Sequence, residues 1–295
     1  KYKRSNNFPL IMGDENKEKL AKADFGHNII FLGTGTGKFA RGKQLRATGG
    51  IILQIEDNQF HIDPGPGAIV RAAQNNINTR ANTSLLISHS HITHCNDVNA
   101  VIDAMTYSGL DKHGVLISNN SVINGSEEHH PYLTKFHRNC LEKVIVIEPG
   151  QRAAVNEIEI KALYTKHTEP STVGFRLATP YFVLVYSSDT EYSPRLIEEY
   201  KGANILILNV HSPNNEPVAG NLNTADAIKI AEKVEPKLVI IQHFSKKMLE
   251  ADPIQEAREI QKQTKCQAIA AKDGMIINPL IYGSKARQQT LTANY

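Results

Sequence analysis

The chain has 295 residues, of which 41% are hydrophobic and 21% are charged, and its formal net charge is +3. This composition is ordinary for a soluble globular protein, and so small a charge does not by itself indicate nucleic-acid binding. No apolar run approaches the roughly 20 residues of a membrane span. The three separated cysteines lack a Cys-x-x-Cys pair, which argues against a disulfide framework. We therefore expect a cytoplasmic protein without a membrane partner.

Strand and helix patterns alternate along the first half of the chain. Residues 1–25 are charged and predict a loosely ordered lead-in. After them the apolar spacing predicts strands at 28–32, 50–55, 59–62, 115–117 and 144–147, helices at 68–74 and 97–107, and a polar insertion at 119–138.

The second half is denser in strands. The predicted strands are at 153–158, 160–164, 172–177, 182–186, 204–210, 238–241, 267–270 and 275–277, and the predicted helices are at 194–200, 224–234 and 253–264. The helix at 224 is capped by Asn223 or Thr224. Strand-rich halves with interspersed helices predict the α/β class, as a four-layer αββα sandwich of mixed sheets. We expect one domain at 26–283 and a polar tail at 284–295.

Three histidines follow the short apolar run at 84–87, at positions i, i+2 and i+5. His89 and His91 are two apart in an extended segment and can point the same way, whereas His94 falls at the start of a helical pattern. Imidazole is the commonest neutral ligand of zinc-like ions, so one such loop can serve two adjacent metals. The alternative is a group of surface histidines in a turn, because the chain has twelve histidines.

The segment His89-x-His91-x-Thr93-His94 resembles the metal-binding signature His-x-His-x-Asp-His of the metallo-β-lactamase superfamily. Such sites also use an early Asp-x-Gly turn and a later His, Asp and His, each of the last three at the end of a strand. The matching candidates are Asp63, in Asp-Pro-Gly-Pro-Gly, and then His167, Asp189 and His243. The resemblance covers roughly residues 28–279 and implies the αββα fold and a metal-dependent hydrolase.

The resemblance implies a centre for two divalent ions, zinc first and manganese or iron as alternatives. His89, His91 and His167 would hold one ion, His94 and His243 would hold the other, and Asp189 would bridge them. A water shared by two close cations becomes a hydroxide near neutral pH. Asp63 either orients a ligand histidine through its free N–H or serves the turn alone.

Thr93 is the main departure from the family pattern, because most members have an aspartate ligand of the second metal there. A threonine hydroxyl is neutral and a poor ligand, so the second site is one charge short. One possibility is that the second metal binds weakly, with its coordination completed by water or supported by Asp97 one helical turn onward. The other possibilities are that the site holds a single metal, or that the protein has lost efficient catalysis. We count Thr93, Asp189 and His211 as the catalytic candidates.

The segment Gly33-Thr34-Gly35-Thr36-Gly37 precedes a basic run and resembles the opening of the phosphodiesterase branch, which includes tRNase Z and cyclic-nucleotide phosphodiesterases. We expect phosphate contacts from Gly35, Gly37, Lys38 and Arg46. A plain turn followed by a solvated basic run is the alternative. The His-Glu motif of tRNase Z is replaced by Leu208-Asn209, and His211 is either the general acid or a surface histidine.

Several later segments also resemble an archaeal-type group of these hydrolases, but this resemblance does not identify a substrate. The sequence thus predicts a hydrolase that uses a metal-activated water on a phosphodiester, either a nucleotide or a nucleic-acid-like substrate. The alternatives are an ester, thioester or lactone hydrolase, and a catalytically weak binding protein. We expect a small-molecule or nucleotide substrate as the partner and leave a homodimer open.

Overall fold

The structure is a computed structural model that describes residues 25–127, 130–214 and 216–283. The expected lead-in (1–25), except for Phe25, and the expected tail (284–295) lie outside the described residues. The division into lead-in, domain and tail therefore stays a prediction. No helix in the described part of the chain combines the length and the hydropathy that crossing a membrane requires.

Fifteen strands are present in the described residues. In chain order they are β1 (His27–Gly33), β2 (Thr48–Ile55), β3 (Asn58–Ile62), β4 (Ser84–Ile87), β5 (Val115–Ser118), β6 (Lys143–Val146), β7 (Arg152–Val155), β8 (Ile158–Leu163), β9 (Gly174–Ala178), β10 (Val183–Tyr186), β11 (Ile205–Ser212), β12 (Leu222–Asn223), β13 (Leu238–Gln242), β14 (Gln267–Ala270) and β15 (Ile276–Ile277).

The same ranges contain ten α-helices. They are α1 (Gly37–Gly42), α2 (Ala68–Gln74), α3 (Ile92–Cys95), α4 (Val98–Thr106), α5 (Asn120–Asn124), α6 (Lys135–Cys140), α7 (Pro194–Tyr200), α8 (Thr224–Val234), α9 (Lys246–Glu250) and α10 (Pro253–Gln263). Of the two residues expected to cap α8, Asn223 is the cap, because its side chain accepts a hydrogen bond from the Asp226 N–H.

The strands form two mixed sheets. The first has the order β15-β1-β2-β3-β4-β5-β6, antiparallel up to β3 and parallel from β3 to β6. The second has the order β14-β13-β11-β10-β9-β8-β7, parallel from β14 to β10 and antiparallel beyond, with β12 paired to β11.

The inner faces of the two sheets share one apolar core, in which Phe31 and Phe60 of the first sheet and Phe175 and Ile207 of the second are buried. Helices cover the outer faces and bury their apolar stripes against them. Val101 and Met105 of α4 lie in a cluster with β4 and β5, and α8 and α10 lie in another with β11 and β13. The predicted four-layer αββα sandwich is confirmed.

Apart from the two-residue strand β12, the elements of the structure that the sequence did not predict are short helices. The expected polar insertion at 119–138 contains α5 and the start of α6, and the side chains of Asn119 and Thr134 cap them by accepting from the N–H groups of Val122 and His137. Helices α1 and α9 were also unexpected. Each is five or six residues long, too short for a clear helical period.

Candidate metal centre

The centre lies at one edge of the sandwich, where strands from both sheets end. Asp63 follows β3, the histidine segment follows β4, and Asp189 and His243 follow the ends of β10 and β13. Because β3 and β4 are parallel, as are β10, β11 and β13, their carboxyl ends meet at the same edge. The topology therefore brings side chains together that lie far apart in the sequence.

One cluster of possible ligands contains His89, His91, His167 and Asp189. The His91 Nδ1 is 3.0 Å from the Nε2 of His89 and 3.1 Å from the Nε2 of His167. The Asp189 Oδ2 is 3.8 Å from the His89 Nε2 and 3.9 Å from the His167 Nε2. We call these four residues the first half-site.

The second cluster contains His94, His243 and again Asp189. The Nε2 atoms of His94 and His243 are 3.0 Å apart, and the Asp189 Oδ2 is 3.3 Å from the His94 Nε2. All three side chains are buried. We call them the second half-site, which shares its only carboxylate with the first.

The donor atoms fit a divalent metal ion. Within each half-site the ligand atoms all lie within 4.8 Å of one another. The buried Nδ1 of His243 makes no hydrogen bond of acceptable geometry, and it lies 3.2 Å from the Asp189 Oδ1. Imidazole nitrogens together with one carboxylate oxygen suit zinc and its neighbours in the first transition series.

Burial and neighbouring charges shift the pKa values of these side chains in different directions. Burial lowers the pKa of His89 and His91 and takes that of His243 to about 3, so their lone pairs are free. Burial also acts to lower the pKa of His94, but the carboxylates of Asp189 and Asp63 raise it to about 10. Burial acts to raise the pKa of Asp189, and the surrounding histidines hold it well below its usual range.

Asp63 orients the second half-site. Its Oδ2 accepts hydrogen bonds from the His94 Nδ1 at 2.8 Å and from the Ser88 and Tyr186 hydroxyls at 2.7 Å each, and its Oδ1 accepts from the Ser88 N–H at 2.7 Å. The turn after it is equally constrained, because a Cβ on Gly65 would lie 2.0 Å from the Thr93 carbonyl oxygen. Both sequence interpretations of Asp63, the orienting carboxylate and the turn, therefore describe real contacts.

Neutral groups orient the first half-site. The His89 Nδ1 lies 2.9 Å from the Ser88 hydroxyl, and the His167 Nδ1 donates to the Gly220 carbonyl at 2.6 Å. These bonds aim the Nε2 atoms of both rings at Asp189. His91 is exposed, so this half-site is the one that opens to solvent.

Asn209 was missed as a site residue. Its amide donates to the Asp189 Oδ1 at 2.7 Å, and it accepts in turn from the Gln242 Nε2 at 2.9 Å. Asn209 and Gln242 are direct partners in the register of β11 and β13. Asn209 thereby holds the Asp189 Oδ1, which also lies 3.2 Å from the His243 Nδ1, while Oδ2 faces His89, His94 and His167. Its position within the pair Leu208-Asn209, which replaces the His-Glu motif, was the available signal.

Three of the other candidates lie as follows. Thr93 lines a small cavity of about 20 Å³ together with Asp63, His94 and His243. The His211 ring is 6.5 Å from the His243 ring, and its buried Nδ1 has no hydrogen-bond partner. Asp97 turns away instead. Its Oδ2 accepts from the Ala68 N–H at the start of α2, and its expected support for the second metal stays a prediction.

The glycine segment is held by the protein itself. Asp273 accepts from Thr34 and from the Ala47 N–H, and the Gly35 N–H donates to the Ala47 carbonyl at 2.9 Å. The Gly35 amide is therefore already engaged, and the expected phosphate contact of Gly35 stays a prediction. Gly37, with a φ of 78°, does lie beside the site, since a Cβ there would be 4.0 Å from the His211 Nε2.

The basic run begins just after this glycine. Lys38 is exposed, and the Arg46 side chain is partly buried. The Arg46 Cβ lies 2.6 Å from where a Cβ on Gly35 would be, which explains the glycine.

A pocket of about 720 Å³ opens beside His91. Its lining includes the hydroxyls of Ser121 and Tyr132 and the carboxylates of Glu127 and Glu169, and no lysine or arginine is among the described residues that line it. Because His91 is the exposed ligand, this pocket is the approach to the first half-site.

A sequence model described as the Beta-lactamase superfamily domain matches residues 58–244, more than half of the chain. The chain belongs to this superfamily. An uncharacterized protein of Methanocaldococcus jannaschii is 39% identical over 254 residues, which are 85% of this chain and 95% of the relative.

Solved structures of the superfamily share the fold at low sequence identity. The metallo-β-lactamase fold protein YhfI of Bacillus subtilis is similar with a TM-score of 0.72 at 18% identity, over 85% of this chain and 98% of that one. A diphosphatase of the PhnP family is similar with a TM-score of 0.63, also at 18% identity, over 85% and 97% of the two chains.

Proposed function

We propose that the protein is a metal-dependent hydrolase that cleaves a phosphodiester of a small molecule or nucleotide. The observation that carries this proposal is the position of the Asp189 Oδ2, which is 3.3–3.9 Å from Nε2 atoms of both half-sites. A carboxylate shared by two sets of imidazoles is the arrangement that two cations about 3.5–4 Å apart require.

His89, His91, His167 and Asp189 would hold the first ion, and His94, His243 and Asp189 the second. Zinc suits this donor set best, with manganese or iron as alternatives. Two bound divalent ions supply a hydroxide near neutral pH and screen the charge that develops on a phosphoryl oxygen. The exposed ring of His91 leaves the substrate side of the first half-site open.

His211 is the candidate proton donor to the leaving alcohol, a role for which its ring must first be protonated. Burial lowers its pKa, so the ring is neutral near neutral pH in the free protein, and the negative charge of a bound phosphate acts in the opposite direction. The ring lies beside His243 on one side and the backbone of Gly37 on the other. A phosphate at this position meets the Gly37 backbone and the exposed cation of Lys38, with Arg46 behind them.

The test is metal analysis of the purified protein coupled to a screen of bis-p-nitrophenyl phosphate, cyclic nucleotides and simple p-nitrophenyl esters. We expect about two equivalents of metal and turnover of a phosphodiester that chelation abolishes. His89→Ala is the matched inactive control. No bound metal would favour the binding-protein alternative, and metal with no phosphodiester turnover would contradict the phosphate assignment.

A carboxylic ester, thioester or lactone is the second candidate substrate, and one observation favours it. The pocket beside His91 is lined by Glu127 and Glu169 and, among its described residues, by no cation. Carboxylates repel an anionic substrate and leave an uncharged one unaffected. Turnover of neutral esters without any phosphodiester activity would decide for this candidate.

A further inference from the structure

A buried carboxylate lies next to the first half-site without being one of its ligands. Glu169 is only 8% exposed and follows the ligand His167 by two residues. Its Oε2 accepts a hydrogen bond from the Ser90 N–H at 2.9 Å, and Ser90 is the residue between His89 and His91. Glu169 thus joins the segment of one ligand to the segment of two others, 79 positions earlier in the chain.

The same carboxylate is held from its other side. The Ser171 hydroxyl donates to its Oε1, and the Asn119 amide approaches both oxygens at 3.4 and 3.5 Å. Asn119 also donates to the Ser171 carbonyl at 2.9 Å and approaches that of Ser88 at 3.3 Å. These hydrogen bonds therefore connect three parts of the chain: the end of β4, the end of β5 and the β8–β9 connection.

Neutral donors hold this buried carboxylate, among them the Ser90 N–H, the Ser171 hydroxyl and the Asn119 amide. A carboxylate that accepts from a backbone N–H forms a stronger and more directional bond than a neutral acceptor does. That bond fixes the peptide between the two ligand histidines.

We propose that Glu169 is a positioning residue that sets the spacing between the His89–His91 segment and His167 at the first half-site. The inference rests on the proposed metal centre. A metal accepts ligand positions within only about 0.2 Å, and the peptide at Ser90 determines where both rings point. The second half-site has its own anchor, the Asp63 carboxylate on His94. Loss of Glu169 therefore weakens one metal and spares the other.

The experiment titrates zinc into the metal-free protein against a chromophoric chelator and records the absorption of the cobalt-substituted protein. The variants are Glu169→Ala and Glu169→Gln. Glu127→Gln is the matched control, because Glu127 lines the same pocket, is exposed and lies outside the Ser90 contact. Urea unfolding of each variant checks that it is folded.

We expect Glu169→Ala to weaken one equivalent of zinc by roughly 10- to 100-fold, the usual effect of losing a group that supports a ligand, and to alter the cobalt spectrum. Glu169→Gln keeps an oxygen for the Ser90 N–H, so its loss is smaller. The Glu169 variants should bind the other equivalent of zinc with unchanged affinity. The control Glu127→Gln should bind both equivalents as the wild-type protein does.

Unchanged affinity for both equivalents in the alanine variant, or an equal loss of both, would overturn the positioning role while leaving the metal centre standing. If the alanine variant does not fold, the zinc affinities of Glu169→Gln and Glu127→Gln are compared instead. Equal affinities in these two variants would overturn the positioning role. A wild-type protein that binds no zinc would overturn the metal centre and the positioning role together.

Discussion

The two half-sites share Asp189 but are built differently. The first has three histidines, two of them oriented by the neutral Ser88 hydroxyl and Gly220 carbonyl, and it opens to solvent through His91. The second has two buried histidines, one of them oriented by the Asp63 carboxylate, and it borders a cavity of about 20 Å³. The first half-site has more ligands, and its nearby carboxylate, Glu169, holds the backbone between two of them, whereas the carboxylate beside the second half-site, Asp63, holds a ligand ring directly.

The comparison shows how the protein accommodates Thr93. The hydroxyl adds no charge to the second half-site, and among the described residues the Asp97 carboxylate is engaged by the Ala68 N–H of α2. Asp63 is the remaining anion there, and its hydrogen bond to His94 strengthens that ring as a ligand. We therefore expect the first half-site to bind metal tightly and the second more weakly.

The largest effect should come from removing the anion that both halves share. Asp189→Asn leaves only neutral ligands, so we expect metal loss from both half-sites and a fall in kcat/KM of at least about 10³-fold. Metal analysis and steady-state kinetics measure it, with Asp226→Asn, a partly buried aspartate in the first turn of α8, as the control. Retention of both metals would show that Asp189 does not bridge.

Asp63→Asn should change the metal affinities of the two half-sites by different amounts. The amide cannot stabilise the His94 ring as an anion does, so the second equivalent of metal should weaken by roughly 10- to 100-fold. The first should weaken less, because Asp63 reaches its ligand His89 through Ser88. Tyr186→Phe, which removes one donor to Asp63, is the milder companion variant. Competitive metal titration measures both, and an equal loss at the two half-sites would contradict the assignment of Asp63 to the second.

Thr93→Asp should reduce the difference between the halves. It adds a hard anionic ligand beside His94 and His243, and we expect the second metal to tighten by about tenfold. Thr93→Asn has the shape of the aspartate without its charge and is the matched control. Identical stoichiometry and affinity in all three proteins would place Thr93 outside the metal centre.

The smallest effect concerns the basic run outside both halves. A single partly exposed cation contributes modestly, so Arg46→Ala should raise the KM of a phosphodiester by roughly two- to fivefold and leave a neutral ester unchanged. Added salt should weaken the wild-type phosphodiester reaction and reduce this difference. Arg258→Ala, an exposed arginine of α10, is the control. Equal losses on both substrates would indicate a structural role for Arg46.

Much of this protein follows from local patterns in its sequence. Apolar periodicity is a property of neighbouring residues, and it predicted the αββα layers and most strands to within a few positions. The spacing of His89, His91 and His94 is local as well. Asp189 and His243 follow strand ends, and strand ends lie at the sheet edge in any arrangement of parallel strands.

Only the tertiary structure determined which donor and acceptor atoms of these side chains remain available to a metal or a substrate. Asn209 occupies one oxygen of Asp189, Glu169 holds the Ser90 N–H, and Asp97 turns to α2, each through a partner at least 20 positions away. The Gly35 amide is likewise taken by the Ala47 carbonyl and not by a ligand. A hydrogen bond needs its partner within about 3 Å and in line, and only the packed sheets determine that geometry.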